Sequence, residues 1–144
     1  DVVLLDQINV GMAVAVPDGL LVPVVQETDK LGLKEIAEET SRLATAAREK
    51  KLSLAEMEGG TFSVTALGMF GVDAFTPVIN PPNSGILGVG RIRDDVAWEG
   101  DVPIRVKRMT ISLTWDHRVL DGAPAAEFAA TIKKLLEQPL RLLG

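Results

Sequence analysis

Four ionisable side chains stand close together near the carboxyl end of the chain: Asp116, His117, Arg118 and Asp121. His117 is the only histidine in the sequence. An imidazole ordinarily has a pKa near 6.5, so a neutral His117 could take a proton from a thiol or a hydroxyl at physiological pH. A positioned general base of this kind is worth roughly 10²–10⁴ in rate. The segment therefore predicts general-base catalysis, with a structural role as the alternative because most lone histidines are structural.

The residue types that are missing narrow the chemistry further. The sequence has no cysteine, which excludes disulfides, thiolate nucleophiles and cysteine metal sites. A single histidine excludes a multi-histidine metal site, and we expect no bound metal. Twenty acidic residues against fifteen basic ones give a net charge of -5, the wrong sign for affinity based on phosphate contacts. Nucleic acid is therefore not expected as a partner.

The elements on either side of His117 indicate how it is held. Residues 104–115 are predicted to form a strand, and a helix is predicted after Gly122, with Pro124 at its first position and its end at Pro139. His117 thus lies at a turn between a strand and a helix, where a scaffold can hold side chains rigidly. Leu140 to Leu143 form an apolar tail that we expect to be buried in a subunit contact.

The rest of the chain has the pattern of an α/β protein. Its 144 residues predict one folding unit, and no apolar run approaches the roughly 18 residues of a membrane helix, so a soluble protein without membrane contact is expected. Residues 71–84 are predicted to be a long, interfacial loop. The remaining periodicity predicts a strand over 8–16, a turn over 17–19, a second strand over 20–25, a helix over 33–47, strands over 61–67 and 86–92, and a polar turn over 93–101.

Three blocks of sequence carry a family resemblance. The string DHRVLDG follows MTISLTW and precedes a helix that ends in LLEQPLRLL. The blocks INVGMAVAVPDGLLVPVV and GGTFSVTALGMFGVDAFTPVINPPNSGILGVG come before it in the chain. Together they closely resemble the catalytic domain of the dihydrolipoamide acyltransferases, the E2 core enzymes of 2-oxo acid dehydrogenase complexes. The resemblance covers essentially the whole chain.

The resemblance implies an α/β two-layer sandwich similar to chloramphenicol acetyltransferase, with helices on a mixed, largely antiparallel sheet. Residues 1–144 would be the C-terminal part of the E2 catalytic domain. The preceding segment of that domain, the lipoyl domain and the subunit-binding domain would be absent from the chain. The lipoyl group would then be carried on an absent domain, and coenzyme A would be a substrate whose binding residues are not assigned.

The resemblance also implies roles for particular residues. The family moves an acyl group between the thiol of a dihydrolipoyl arm and the thiol of coenzyme A, and His117 matches its general base. Thr65, which stands 52 positions earlier, matches the hydroxyl that stabilises the tetrahedral oxyanion, with Ser63 as the alternative. Asp121 matches an aspartate that supports the active-site loop by charge pairing, and its cationic partner, for which Arg118 is one candidate, is left open.

The family's assembly supplies the remaining expectations. Homotrimers would form with active sites between copies and would assemble into a cubic or dodecahedral core that works with the E1 and E3 components. Acetyl is the expected acyl group, with branched-chain and succinyl groups left open. The alternatives are a non-catalytic structural core fragment and an acyltransferase with a small-molecule acceptor. The expected location is the bacterial cytoplasm, with the mitochondrial matrix or a plastid as alternatives.

Overall fold

Two α-helices, nine β-strands and four short 3₁₀ turns make up the regular structure of residues 2–142, the residues that the computed structural model describes. The helices are α1 (Leu33–Arg48) and α2 (Gly122–Glu137). The strands are β1 (Val10–Met12), β2 (Val14–Val16), β3 (Gly19–Leu21), β4 (Val24–Val25), β5 (Phe62–Ala66), β6 (Gly85–Val89), β7 (Arg93–Glu99), β8 (Val102–Arg108) and β9 (Ile111–Trp115). The α/β class is confirmed.

The main sheet has five strands in the order β4-β1-β5-β6-β9. β5 runs parallel to both β1 and β6, whereas the outer pairs β1–β4 and β6–β9 are antiparallel. The sheet is therefore mixed, as predicted, but it is not largely antiparallel, because two of its four pairings are parallel. β6 is buried along most of its length, which explains its continuous run of small and apolar residues.

The helix α1 confirms the amphipathic pattern of its sequence. Glu35 accepts a hydrogen bond from the backbone N–H of Gly32 at 2.8 Å and so caps the first turn. Leu43 and Ala47, one turn apart on the same face, are completely buried. This face packs against β2 and β4 and covers one end of the sheet.

The strand predicted over residues 8–16 is divided between two sheets. β1 lies inside the main sheet, whereas β2 pairs with β3 in a separate hairpin whose turn includes Gly19 at φ 142°. The cause lies in Pro23, which has no N–H and so cannot continue the ladder from β3 into β4. Its carbonyl still accepts a hydrogen bond from the Met12 N–H at 2.8 Å. The predicted hairpin is therefore correct, but each of its arms is broken.

The polar turn predicted over residues 93–101 is wrong, because most of it forms β7. This strand pairs along its whole length with β8 in a two-stranded ribbon. Its acidic side chains pair with basic side chains of β8. Asp94 accepts a hydrogen bond from Arg105 at 2.5 Å, and Asp95 accepts one from Arg108 at 2.9 Å. The strand predicted over residues 104–115 is likewise two strands, β8 in the ribbon and β9 in the main sheet.

The predicted C-terminal helix is confirmed as α2, which packs against β9. Its N-cap is Asp121, so Pro124 is the third helical residue and not the first. It still lies in the first turn, where no N–H is needed. A 3₁₀ turn over Pro139–Leu142 follows, with Leu140 81% exposed, while Leu143 of the predicted tail lies outside the described residues. Neither helix of residues 2–142 combines the length and apolar character needed to cross a membrane.

Candidate active site

His117 lies on a clamped turn between β9 and α2, as the sequence predicted. The backbone N–H of Asp116 donates to the carbonyl of Ser84 at 2.8 Å, which extends the contact between β9 and β6 by one residue. The backbone N–H of Val119 donates a hydrogen bond to the carbonyl of Asp116 at 2.9 Å. The indole Nε1 of Trp115 donates to the carbonyl of Leu120 at 2.8 Å and closes the turn from the other side. The backbone that carries His117 is therefore fixed at both ends.

The charged side chains next to His117 do not include the pair of Arg118 with Asp121, which was one candidate arrangement. Arg118 binds Asp116, to which its Nε donates at 2.9 Å and its Nη2 at 2.6 Å. These bonds and the backbone N–H of Arg118 lower the pKa of Asp116 to about 2. Asp116 is therefore a carboxylate throughout the neutral range, and Arg118 is the partner of Asp116 and not of Asp121.

Asp121 faces His117 instead. Its Oδ1 is 3.5 Å from the Nδ1 of His117, just beyond a normal hydrogen bond, and the two side chains are 86% and 69% exposed. In one copy of the chain this carboxylate is open to water, and the side chain that faces it is His117 and not Arg118. A carboxylate beside Nδ1 favours the tautomer with its proton on Nδ1. This tautomer leaves Nε2 as the atom that can accept a proton.

The two candidate hydroxyls on β5 have different surroundings. Ser63 is 1% exposed, and its Oγ accepts a hydrogen bond from the Nδ2 of Asn83 at 2.7 Å. Thr65, two residues later, is half-buried and is paired in register with Gly88 of β6. Thr65 is therefore the more accessible of the two hydroxyls.

Thr65 lines a cleft of about 390 Å³, called here the Thr65 cleft. One side of it is the segment 75–80 of the long loop, called here the cleft wall. None of the lining side chains carries a charge: Ala13, Leu20, Val22, Ser63, Thr65, Phe75, Thr76, Pro77, Val78, Ile79, Asn80 and Ile86. Among the described residues there is also no cluster of acidic and histidine side chains able to hold a metal ion. The cleft suits an uncharged group.

One copy of the chain does not bring His117 and Thr65 together. Thr65 lies in register with Gly88, which pairs with Ser112 of β9. Trp115, the last residue of β9, is three residues beyond Ser112, which is about 10 Å along the strand direction. β9 is also two strands away from β5, which adds about 10 Å across the sheet. His117 lies beyond Trp115 at the same end of the sheet. The structure thus separates the predicted base from the predicted oxyanion donor by roughly 14 Å or more.

Several residues that shape the site were missed at the level of sequence. Trp115 and Ser84 hold the His117 turn, and Asn83 binds Ser63, yet none of these pairs has a sequence signature because its members meet only in the folded chain. Gly88 and Gly90 did carry a signal, since glycine inside a strand often marks a close approach of other backbone. A Cβ at Gly88 would lie 3.1 Å from the ring of Phe75, and one at Gly90 would lie 2.0 Å from the carbonyl oxygen of Asp73.

The mixed sheet with its two helices has the fold of the E2 catalytic cores, which are acyltransferase domains similar to chloramphenicol acetyltransferase. The chain belongs to the family of the 2-oxoacid dehydrogenases acyltransferase (catalytic domain), whose family model matches residues 1–144. The resemblance inferred from the sequence is therefore confirmed.

Individual relatives agree with this assignment. The dihydrolipoyllysine-residue acetyltransferase component of the acetoin cleaving system of Bacillus subtilis is 46% identical over 136 residues, which are 94% of this chain and 34% of the relative. The dihydrolipoyllysine-residue succinyltransferase component of the 2-oxoglutarate dehydrogenase complex of Rickettsia bellii is 44% identical over 144 residues, which are 99% of this chain and 36% of the relative. The chain thus spans about a third of the length of these curated relatives.

Solved structures share the fold. The dihydrolipoamide acetyltransferase of Azotobacter vinelandii superposes with a TM-score of 0.92 at 38% identity, covering 97% of this chain and 58% of that one. The cubic core of the pyruvate dehydrogenase multienzyme complex gives the same TM-score, identity and coverage. The fold predicted from the resemblance is confirmed by these superpositions.

Proposed function

We propose that the chain is part of an acyltransferase that moves an acyl group between dihydrolipoamide and coenzyme A. The observation that carries the proposal is the geometry of His117: an exposed imidazole on a turn held by hydrogen bonds, with a carboxylate beside Nδ1 and, among residues 2–142, no hydrogen-bond partner on Nε2. In the A. vinelandii enzyme, the catalytic mechanism has been investigated at a serine, a histidine and an asparagine separated by 52 and 4 positions. Thr65, His117 and Asp121 have the same two intervals.

In the proposed reaction, Nε2 of His117 takes the proton of the attacking thiol. The sulfur then bonds to the thioester carbonyl carbon, and the carbonyl oxygen becomes an oxyanion. When the tetrahedral intermediate collapses, the bond to the departing sulfur breaks and the imidazolium returns its proton to that sulfur. Asp121 acts as a positioning residue that favours the productive tautomer and stabilises the imidazolium by its charge.

Thr65 is the proposed donor to the oxyanion. Both residues line the cleft, but Thr65 is half-buried, whereas Ser63 is buried and its Oγ already accepts a hydrogen bond from Asn83. One such donor is worth about 10²–10³ in turnover. We therefore expect Thr65→Val to lower kcat by about that factor and Thr65→Ser to restore most of it, because serine keeps the hydroxyl.

The proposed acyl group is acetyl. The Thr65 cleft has no charged lining residue, and a succinyl group bound there would bury its terminal carboxylate without a cation, which is costly. The relatives include both acetyl and succinyl transferases, so family membership alone does not decide the acyl group. The uncharged cleft is the feature of this chain that favours acetyl.

The proposed assembly is a homotrimer within a larger cubic or dodecahedral core. A trimer that places His117 of one copy beside Thr65 of the next would complete the site that one copy leaves divided. The close similarity to a cubic core supports the larger assembly. The names of the relatives, as components of multienzyme systems, support cooperation with E1 and E3 and a lipoyl group carried on another domain, with residues 1–144 as the C-terminal part of the catalytic domain.

The experiment compares acetyl-, isobutyryl- and succinyl-coenzyme A as donors to dihydrolipoamide, using the intact assembled protein. We expect transfer from acetyl-coenzyme A with kcat/KM at least about tenfold above that for succinyl-coenzyme A, since the cleft offers no partner for a carboxylate. A higher kcat/KM for succinyl would refute the acetyl proposal. No transfer from any of the three thioesters would refute the acyltransferase proposal and favour a structural core.

A further inference from the structure

We propose that Asn83 is a positioning residue for the acyl transfer: its buried amide joins the cleft wall to β5 and so sets the position of the wall against Thr65. The proposal rests on the proposed function of the Thr65 cleft and adds to it a residue remote from the reacting atoms. Asn83 lies at the end of the long loop, directly before Ser84 and β6.

The first argument is the place of the Asn83 hydrogen bond. Nδ2 of Asn83 donates to the Oγ of Ser63 at 2.7 Å, and both side chains are at least nine-tenths buried. Ser63 precedes Thr65 by two residues on the same strand. The backbone N–H of Asn83 also donates to the carbonyl of Asn80, the last residue of the cleft wall, at 3.0 Å. One residue thus connects the wall with the strand that carries the proposed oxyanion donor.

The second argument is how little else holds the middle of the loop. Its beginning is fixed by Arg91, whose Nε donates to Asp73 at 2.5 Å and whose backbone N–H donates to the carbonyl of Val72 at 2.9 Å. Between this anchor and Asn80, the loop lies across Gly88 through the side chains of Phe75 and Pro77. These apolar contacts do not fix a particular orientation of the loop. The hydrogen bond from Asn83 to Ser63 does so at the end of the loop that leads into β6.

The third argument is that the Asn83 amide is poorly suited to stabilise the fold. Its Oδ1 is buried and has no hydrogen-bond partner among residues 2–142. A buried polar atom without a partner is unfavourable, so this side chain satisfies only part of its hydrogen-bonding capacity. Asn9, also buried, satisfies both ends: Nδ2 donates to the carbonyl of Gly59, and Oδ1 accepts from the N–H of Glu27, each at 2.8 Å. Asn9 therefore offers a matched control.

The same segment also reaches the His117 turn. Ser84, the next residue, accepts the hydrogen bond from the N–H of Asp116. A displacement of about 1 Å in a positioned site can lower turnover by as much as about a hundredfold.

The test uses Asn83→Ala, Ser63→Ala and the control Asn9→Ala in the intact assembled protein, assayed well below each unfolding temperature. We expect Asn83→Ala and Ser63→Ala to lower kcat by about tenfold to a hundredfold, with a smaller effect on KM for acetyl-coenzyme A. Asn9→Ala should lower the unfolding temperature but leave both kinetic constants within about twofold, since a purely structural hydrogen bond affects stability only.

Two further measurements separate positioning from general destabilisation. If Asn83 acts through the wall and Thr65, its effect on kcat shrinks to within about twofold when Thr65→Val is already present, because coupled residues are not additive. Chymotrypsin cleavage after Phe75 reports the wall without any activity assay. We expect it to accelerate at least about tenfold in Asn83→Ala and to stay within about threefold in Asn9→Ala.

An unchanged kcat in Asn83→Ala, fully additive effects with Thr65→Val, or equal cleavage rates in the two asparagine variants would each overturn the proposal. Failure of the proposed function has a different signature. A protein that transfers no acyl group would refute that function, while faster cleavage in Asn83→Ala alone would still support the placement of the wall by Asn83.

Discussion

The proposed division of the site between copies predicts that two inactive variants should restore each other's activity. His117→Ala removes the proposed base, and Thr65→Val removes the proposed oxyanion donor, so each homogeneous assembly should lose at least about 10² in rate. Because the strand register separates these residues by roughly 14 Å or more within one copy, the proposed site takes His117 from one copy and Thr65 from its neighbour.

The expected recovery of activity follows from the fraction of sites that contain both intact residues. In trimers that contain the two variants at random in equal amounts, about one site in four receives an intact histidine and an intact threonine from adjacent copies. Co-expression of the two variants with different affinity tags, followed by sequential purification, yields mixed assemblies. Their acetyl transfer should reach between about a quarter and about a third of the wild-type rate, because each mixed trimer has one complete site in three.

A second mixing experiment, with the double variant, distinguishes shared sites from sites within one copy. When the double variant His117→Ala/Thr65→Val is mixed equally with wild-type chains, shared sites predict about a quarter of the wild-type rate, whereas sites within one copy predict about a half. Two results together would refute the shared site: the mixture of single variants stays as inactive as either variant alone, and the mixture with the double variant keeps half of the wild-type rate.

Further predictions concern the elements around the site. Gly90→Ala should lower the free energy of unfolding by about 2–4 kcal/mol, because its Cβ would lie 2.0 Å from the carbonyl oxygen of Asp73; Gly122→Ala, which meets no atom within 4 Å, should change it by less than about 1 kcal/mol. Equal denaturation midpoints for the two variants would contradict this account. Hydrogen bonds from Ser53 and from Arg42 lower the pKa of Glu56 to about 2, so its contribution to stability should be present above its ordinary pKa near 4.5 and be lost as the pH falls towards 2. The unfolding temperatures of wild type and Glu56→Gln should accordingly differ at pH 6 and converge near pH 2, and a difference independent of pH would contradict it.

The elements that could be predicted from the sequence are those determined by local pattern. The apolar positions of α1 and α2 recur at helical spacing, and that face is buried in α1 and packs on the sheet in both helices. The turn that carries His117 was predicted because it falls between a strand pattern and a helix pattern. These features need no knowledge of distant contacts.

The errors arose where the folded chain overrides local composition. β7 reads as a polar turn because its charges are satisfied by residues of β8, which a single segment does not reveal. Arg118 was a candidate partner for Asp121, but the tight turn places it on Asp116. The hydrogen bond between Asn83 and Ser63 joins residues that are 20 positions apart and has no periodic signature.

The proposed role of His117 as general base is tested most directly by the initial rate of acetyl transfer from acetyl-coenzyme A to dihydrolipoamide. The rate is measured for the intact assembled protein and for His117→Ala, with both proteins shown to have the same assembly size and folded state. We expect the wild-type protein to transfer acetyl groups and the variant to be slower by roughly 10²–10⁴. A variant rate within about threefold of wild type would contradict the assignment of the base.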